Sequence, residues 1–266
     1  MIRFSKALHE DCVQPAYSIG GNRRNARMTH ILKIPLGTSN VYLIGEQQRY
    51  LLVDAGNAGR AGKLQRLLHK GGIRPSQIEL IVITHVHYDH VGSLNAIKAL
   101  CECPVAVHAN EAPLLRYGRV VFPRGTNRIG RLEMGLGTRL SSLRPSLFAF
   151  DAVDPEIVVT GEMPLERFGI SGTIVPTPGH SAGSLSVVLS DGTTCVGDLA
   201  INYLPFGLGP IFPPFADDVP QLLASWDLLL EKGVHTIFPG HGNAFPASKL
   251  GSKKAALLPK LGRSSD

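Results

Sequence analysis

The sequence predicts an α/β protein folded as a four-layer αβ/βα sandwich, and three features of its pattern carry that prediction. Short apolar runs rich in Val, Ile and Leu recur along both halves of the chain, each about the length of a core strand. Segments of helical character separate several of them, so each half reads as a βα unit whose sheet is covered by helices on one side. Histidines and aspartates stand where the runs end, in Gly-rich turns, which lines them along one edge of the sheets. At 266 residues the chain can bury a full core and is most simply a single domain over 1–266, with no repeat relating its halves.

Strands are expected near 31–36, 40–45 and 50–54, followed by a helix over about 60–70. The run "LIVIT" over 80–84 is apolar and β-branched, and the stretch 79–84 that contains it reads as a buried strand. "DHVGSLNAIKAL" reads as one helix from Asp89 to about 100, its acid placed at the positive end of the helix dipole. "PVAVH" at 104–108 is a short strand with a helix from Asn110 behind it. Further strands are expected near 156–159, 173–176, 185–190 and 193–197, then a helix over about 217–232 and the strand "HTIF". Two stretches look inserted. Segment 116–150 is rich in Arg and Gly without a clean period, and 203–216, "YLPFGLGPIFPPFA", combines phenylalanines with stiffening prolines. Residues 1–27 and 250–266 are expected to be peripheral.

"THVHYDHVG" at 84–92 is the most informative stretch, packing His85, His87, Asp89 and His90 into six residues. Imidazole and carboxylate are the ligands that borderline divalent metals prefer, and here four meet where a core strand gives way to a helix. Surface histidines on a hairpin would be the bland reading, and the spacing disfavours it. Downstream, "TPGHSAGS" offers His180, "CVGDLA" offers Asp198 and "IFPGHG" offers His241, each delivered by a strand into a turn. Any one alone would read as a cap or turn residue. With the first cluster they make seven ligands, enough for two metals sharing a carboxylate.

The motifs "HVHYDH", "TPGHS", "GD" and "GHG", in that order over about 28–245, resemble those of the metallo-β-lactamase superfamily. The resemblance implies the αβ/βα sandwich of that family and a binuclear site. One ion would be held by His85, His87 and His180, the other by Asp89, His90 and His241, with Asp198 bridging. "LLVDAG" resembles the family's strand-turn, whose matching Asp54 would orient a ligand by a hydrogen bond from behind. The implied cofactors are two divalent ions, zinc first, with iron or manganese as alternatives.

Composition bounds the setting. No run of eighteen apolar residues is present, the N-terminal stretch lacks the apolar core of a signal peptide, and four cysteines make no disulfide framework at this size. A cytoplasmic protein is expected. The formal charge is +6, concentrated in seven arginines between 116 and 144 (Arg116, Arg119, Arg124, Arg128, Arg131, Arg139 and Arg144) against one acid, Glu133. Such a surface suits an acidic small substrate, anionic lipid or nucleic acid, or a dimer contact. Nucleic acid is disfavoured, because no aromatics are interleaved for base stacking.

Two ions roughly 3.5–4 Å apart lower the pKa of a shared water toward neutrality, so hydroxide can attack a carbonyl or phosphorus. Asp89 and Asp198 are the candidate catalytic carboxylates. No Ser/His/Asp arrangement competes, since Ser181 lies beside a metal ligand and not on a G-x-S-x-G elbow. Subfamily resemblances narrow the substrate. Cys195 stands three residues before the position a lactam hydrolase would use, only 25 residues follow His241, and 43 positions separate Asp198 from His241, too few for the inserted domain of RNA-processing relatives. Lactonases fit best in length and ligand set, although Ile201 stands where their active-site tyrosine falls and Tyr203 is an imperfect substitute. The expectation is a hydrolase of a small ester, thioester or lactone, with Tyr88, Tyr203, Phe206 and Phe212 as candidate substrate contacts. The alternatives are a mononuclear-iron persulfide dioxygenase using His85, His180 and Asp198, and a phosphodiesterase.

Overall fold

Alternation of side chains along two facing sheets sets the layering. The computed structural model describes residues 29–203 and 211–261. The first sheet contains β1 (His30–Pro35), β2 (Asn40–Glu46), β3 (Arg49–Val53), β4 (Ile78–Val82), β5 (Val105–His108) and β6 (Ile157–Val159), in that spatial order. The second contains β7 (Met163–Pro164), β8 (Gly172–Pro176), β9 (Leu185–Leu189), β10 (Thr193–Gly197), β11 (Thr236–Pro239) and β12 (Phe245–Pro246), also adjacent in chain order. The first three strands form an antiparallel meander, while β3 to β6 run parallel and require crossover connections. α1 (Ala61–Lys70) supplies the first crossover, and α2 (Tyr88–Val91) with α3 (Leu94–Cys101) the second.

Tyr42, Ile44, Leu51, Val53, Leu80 and Val82 point between the sheets, where they meet Ile174, Leu185, Val187, Leu189, Cys195 and Phe238. Their neighbours Val41, Leu43, Leu52, Ile81 and Ile83 point outward onto Leu64 and Leu68 of α1 and Leu94 and Ile97 of α3. On the far side, Val196 and Ile237 pack against Leu222, Leu223, Trp226 and Leu229 of α6 (Val219–Glu231) and Leu250 of α7 (Ser248–Leu261). Four layers result, as expected.

Three local expectations are corrected. The stretch from Asp89 to about 100 is two helices, because Gly92 and Ser93 are pressed against the 57–60 loop. A Cβ at Gly92 would stand 2.3 Å from the Ala58 nitrogen, and Ser93 Oγ both donates to the Asn57 carbonyl and accepts from the Arg60 amide. The Arg-rich segment is not irregular throughout. After α4 (Ala112–Arg116) it forms α5 (Arg128–Leu143), started by Asn127, whose side chain accepts from the Gly130 amide. Residues 248–261 are helical and anchored by buried Leu250, so the expected periphery begins later than position 250. Cys101, Cys103 and Cys195 are buried free thiols, and Cys12 and Phe206 lie outside the described residues.

Trp226 is the largest fully buried side chain, and its Nε1 donates to the Leu199 carbonyl just beyond Asp198. It therefore links the α6 layer to a ligand-bearing turn. Trp226→Ala should lower the unfolding free energy by about 3–5 kcal/mol in a urea titration; a loss under about 1 kcal/mol would contradict this packing.

Candidate metal centre

Each candidate ligand sits just past the end of a strand, and all these ends lie at one edge of the sandwich. Asp54 follows β3, His85 to His90 follow β4, His180 lies in the turn after β8, Asp198 follows β10 and His241 follows β11. The structure brings all seven candidate ligands into two groups. Donor atoms of His85, His87, His180 and Asp198 lie within 4.8 Å of one another, and those of Asp89, His90 and His241 are equally close. Asp198 stands between them. Its Oδ2 is 4.0 Å from His85 Nε2, 3.8 Å from His180 Nε2 and 3.3 Å from His241 Nε2, while Oδ1 is 3.4 Å from His90 Nε2. Asp89 Oδ2 lies 3.4 Å from His241 Nε2.

Four of the rings are held from behind. His85 Nδ1 meets Thr84 Oγ1 at 3.0 Å, and His90 Nδ1 meets Asp54 Oδ2 at 2.8 Å. His180 Nδ1 meets the Phe215 carbonyl at 2.9 Å, and His241 Nδ1 meets the Thr38 carbonyl at 3.0 Å. These contacts leave Nε2 of each ring facing the centre, whereas His87 turns its Nδ1 inward, 3.2 Å from His180 Nε2. Asp54 adopts φ +65°, a left-handed conformation that Asp tolerates better than most residues, and also accepts from the Thr84 amide and hydroxyl. Gly240 is required by crowding: a Cβ there would stand 2.4 Å from Asp198 Oδ1.

Electrostatics divide the two groups. Burial, reinforced by the neighbouring imidazoles, holds His85 well below its ordinary value and takes His87 down to about 3. Burial opposes the charged forms in the other group too, but opposite charges outweigh it there. Asp198, Asp54 and Asp89 raise His90, and Asp198 and Asp89 bring His241 up to about 10. The same pairings depress Asp198 well below the carboxylate range and take Asp89 to about 2. His85 Nε2, His90 Nε2 and Asp198 Oδ1 are buried without a hydrogen-bond partner. Unsatisfied donor atoms in both groups, within a set of imidazoles and carboxylates, fit divalent cations.

Several supporting residues carry no signal in the sequence. Thr38 Oγ1 donates to Asp89 Oδ2 (3.2 Å), and Ser39 Oγ donates to the Asp89 carbonyl. Buried Glu111 accepts from the Val86 amide at 2.9 Å, pinning the loop between His85 and His87. Tyr88 packs edge-on against Phe148, which packs against Phe122, giving an aromatic wall beside the ligands. Tyr203 is exposed. Phe212 packs against Trp226, with ring centroids 6.1 Å apart, so that part of the loop covers the edge of the sandwich. The two stretches that look inserted are tied together: Gly125 bridges Phe215, the Thr126 amide donates to Pro214 and the Ala216 amide to Arg124. Phe215 is also the residue whose carbonyl holds His180.

The model of the metallo-β-lactamase superfamily matches residues 34–241. This chain belongs to that superfamily. It is by family a metal-dependent hydrolase. A probable metallo-hydrolase of Methanocaldococcus jannaschii is 29% identical over 228 residues, covering 84% of this chain and 94% of that protein. An acyl-coenzyme A thioesterase of Gallus gallus is 27% identical over 248 residues, covering 84% and 79%. Among solved structures, a protein described in a di-iron-bound form superposes with a TM-score of 0.56 at 24% identity, covering 81% of this chain and 94% of that one.

Asp54→Asn keeps the shape and the tolerance of positive φ but removes the charge behind His90. Zinc affinity, measured by competition with a chromophoric chelator, should fall about 10–100-fold. Unchanged affinity would mean that Asp54 only shapes the turn.

Proposed function

We propose that this chain is a binuclear metal-dependent hydrolase of a small ester, thioester or lactone. The observation that carries the reading is the pair of donor groups with the Asp198 carboxylate between them. In this reading His85, His87 and His180 hold one ion, Asp89, His90 and His241 hold the other, and Asp198 serves both. When bound, the ions act as Lewis acids and make hydroxide available from water near neutral pH. Zinc suits this His-rich donor set, and the di-iron form of the structural relative supports iron as the alternative.

The chain's own groups supply positioning and proton handling. Asp89, steadied by Thr38 and Ser39, is assigned to take a proton from the attacking water and pass it to the leaving group. Its depressed pKa keeps it ionised across the neutral range and makes it a weak base, one that gives up a captured proton readily to the leaving group. The wall of Tyr88, Phe148 and Phe122 offers apolar surface to an acyl group, and the thioesterase named among the relatives supports an acyl substrate.

The metal-loaded protein should be assayed against lactones, aryl esters, acyl thioesters and a bis-aryl phosphodiester. Turnover of at least one acyl substrate is expected, and Asp198→Ala should lower its kcat/KM on the order of a thousandfold or more. Cleavage of the phosphodiester alone would sink the acyl assignment, and oxygen uptake with a persulfide would point to the mononuclear iron chemistry.

A further inference from the structure

Helix α5 packs inside out. Two of its three glycines face the body of the protein: Gly130 is buried, with no room for a Cβ beside the Pro214 carbonyl, and Gly137 lies over Phe122, whereas Gly135 is exposed. Its leucines face away, and Leu132, Leu136, Leu140 and Leu143 are 75%, 67%, 40% and 76% exposed. At the helical repeat these four fall within an arc of about 80°, one continuous apolar stripe. Arg139 borders the stripe, Arg144 follows the helix end and Arg131 lies farther round the helix, all three exposed. None of the ion pairs found among the described residues involves these three arginines. Isolated surface leucines need no explanation, but four in a row on a helix that turns two glycines inward do.

We propose that α5 is the surface by which this protein lies on an anionic phospholipid bilayer. A helix with leucines on one face and arginines near them is suited to the interface plane, with leucines among the acyl chains and guanidinium groups among the headgroup phosphates. Charge selects this partner over a second copy of the chain. Between 128 and 144 the helix and its end carry four arginines (Arg128, Arg131, Arg139 and Arg144) against one acid, Glu133, so pairing two such helices would set like charges against each other. No described helix is long and apolar enough to cross a membrane. The helix is held for this by its Asn127 cap and by the bridge from Gly125 to Phe215, the residue that also steadies His180. The contact surface and the metal centre therefore share one supporting segment.

The test is co-sedimentation of the full chain with vesicles of phosphatidylcholine alone and of phosphatidylcholine mixed equally with phosphatidylserine. Binding to the mixed vesicles, weakened by added salt, is expected. Leu132→Glu/Leu136→Glu and, separately, Arg139→Gln/Arg144→Gln should each lower partitioning on the order of tenfold or more. Leu258→Glu, a change at an exposed leucine on α7, should leave it unchanged. Circular dichroism of each variant separates lost binding from lost fold. Absence of binding to the mixed vesicles overturns the proposal. So does a dimer that Leu132→Glu/Leu136→Glu splits without any vesicle binding, which would assign the stripe to a second copy.

Discussion

Three buried atoms of the two donor groups, His85 Nε2, His90 Nε2 and Asp198 Oδ1, have no hydrogen-bond partner, and the rest of the site is built around that fact. Leaving polar atoms unsatisfied in a protein interior costs about 1–3 kcal/mol each, so they persist only where something else compensates. A divalent cation would do so here, and the surroundings are arranged to keep the ring nitrogens turned toward the centre. Thr84, Asp54, Phe215 and Thr38 each occupy the rear nitrogen of one imidazole, which fixes ring orientation and leaves the forward nitrogen for the centre.

The sandwich explains how donors so far apart in the chain reach the same place. Strands of both sheets end at one edge, and each hands its next residues to a turn whose backbone is tightly constrained. Asp54 sits at positive φ between the Thr84 amide and His90, and Gly240 clears the space that Asp198 and His90 occupy. Strained or crowded backbone is tolerated where neighbouring packing over-determines it. The apolar layers do that here, with Trp226 reaching from α6 to the Leu199 carbonyl.

Much of this is legible in the sequence, for identifiable reasons. The central strands of the first sheet alternate or run apolar over five or more residues, and the four-layer class follows from them. The HVHYDH spacing concentrates donors so strongly that the candidate ligands stand out from the residues alone. Thr38, Ser39 and Glu111 do not stand out, because a residue that steadies a distant turn has no local signature. Nor does the break at Gly92: one glycine weakens a helix by only about 1 kcal/mol, and what divides this one is contact with the 57–60 loop, distant in the chain. α5 is hidden because its glycines obscure the helical period and its leucine stripe faces outward.

The central claim is that the two donor groups hold two ions, and elemental analysis of protein purified without added metal tests it most directly. About two divalent ions per chain is the predicted ratio, zinc or iron included. A ratio of one that excess metal does not raise, with iron as that single metal, would contradict the binuclear centre and the hydrolytic assignment built on it.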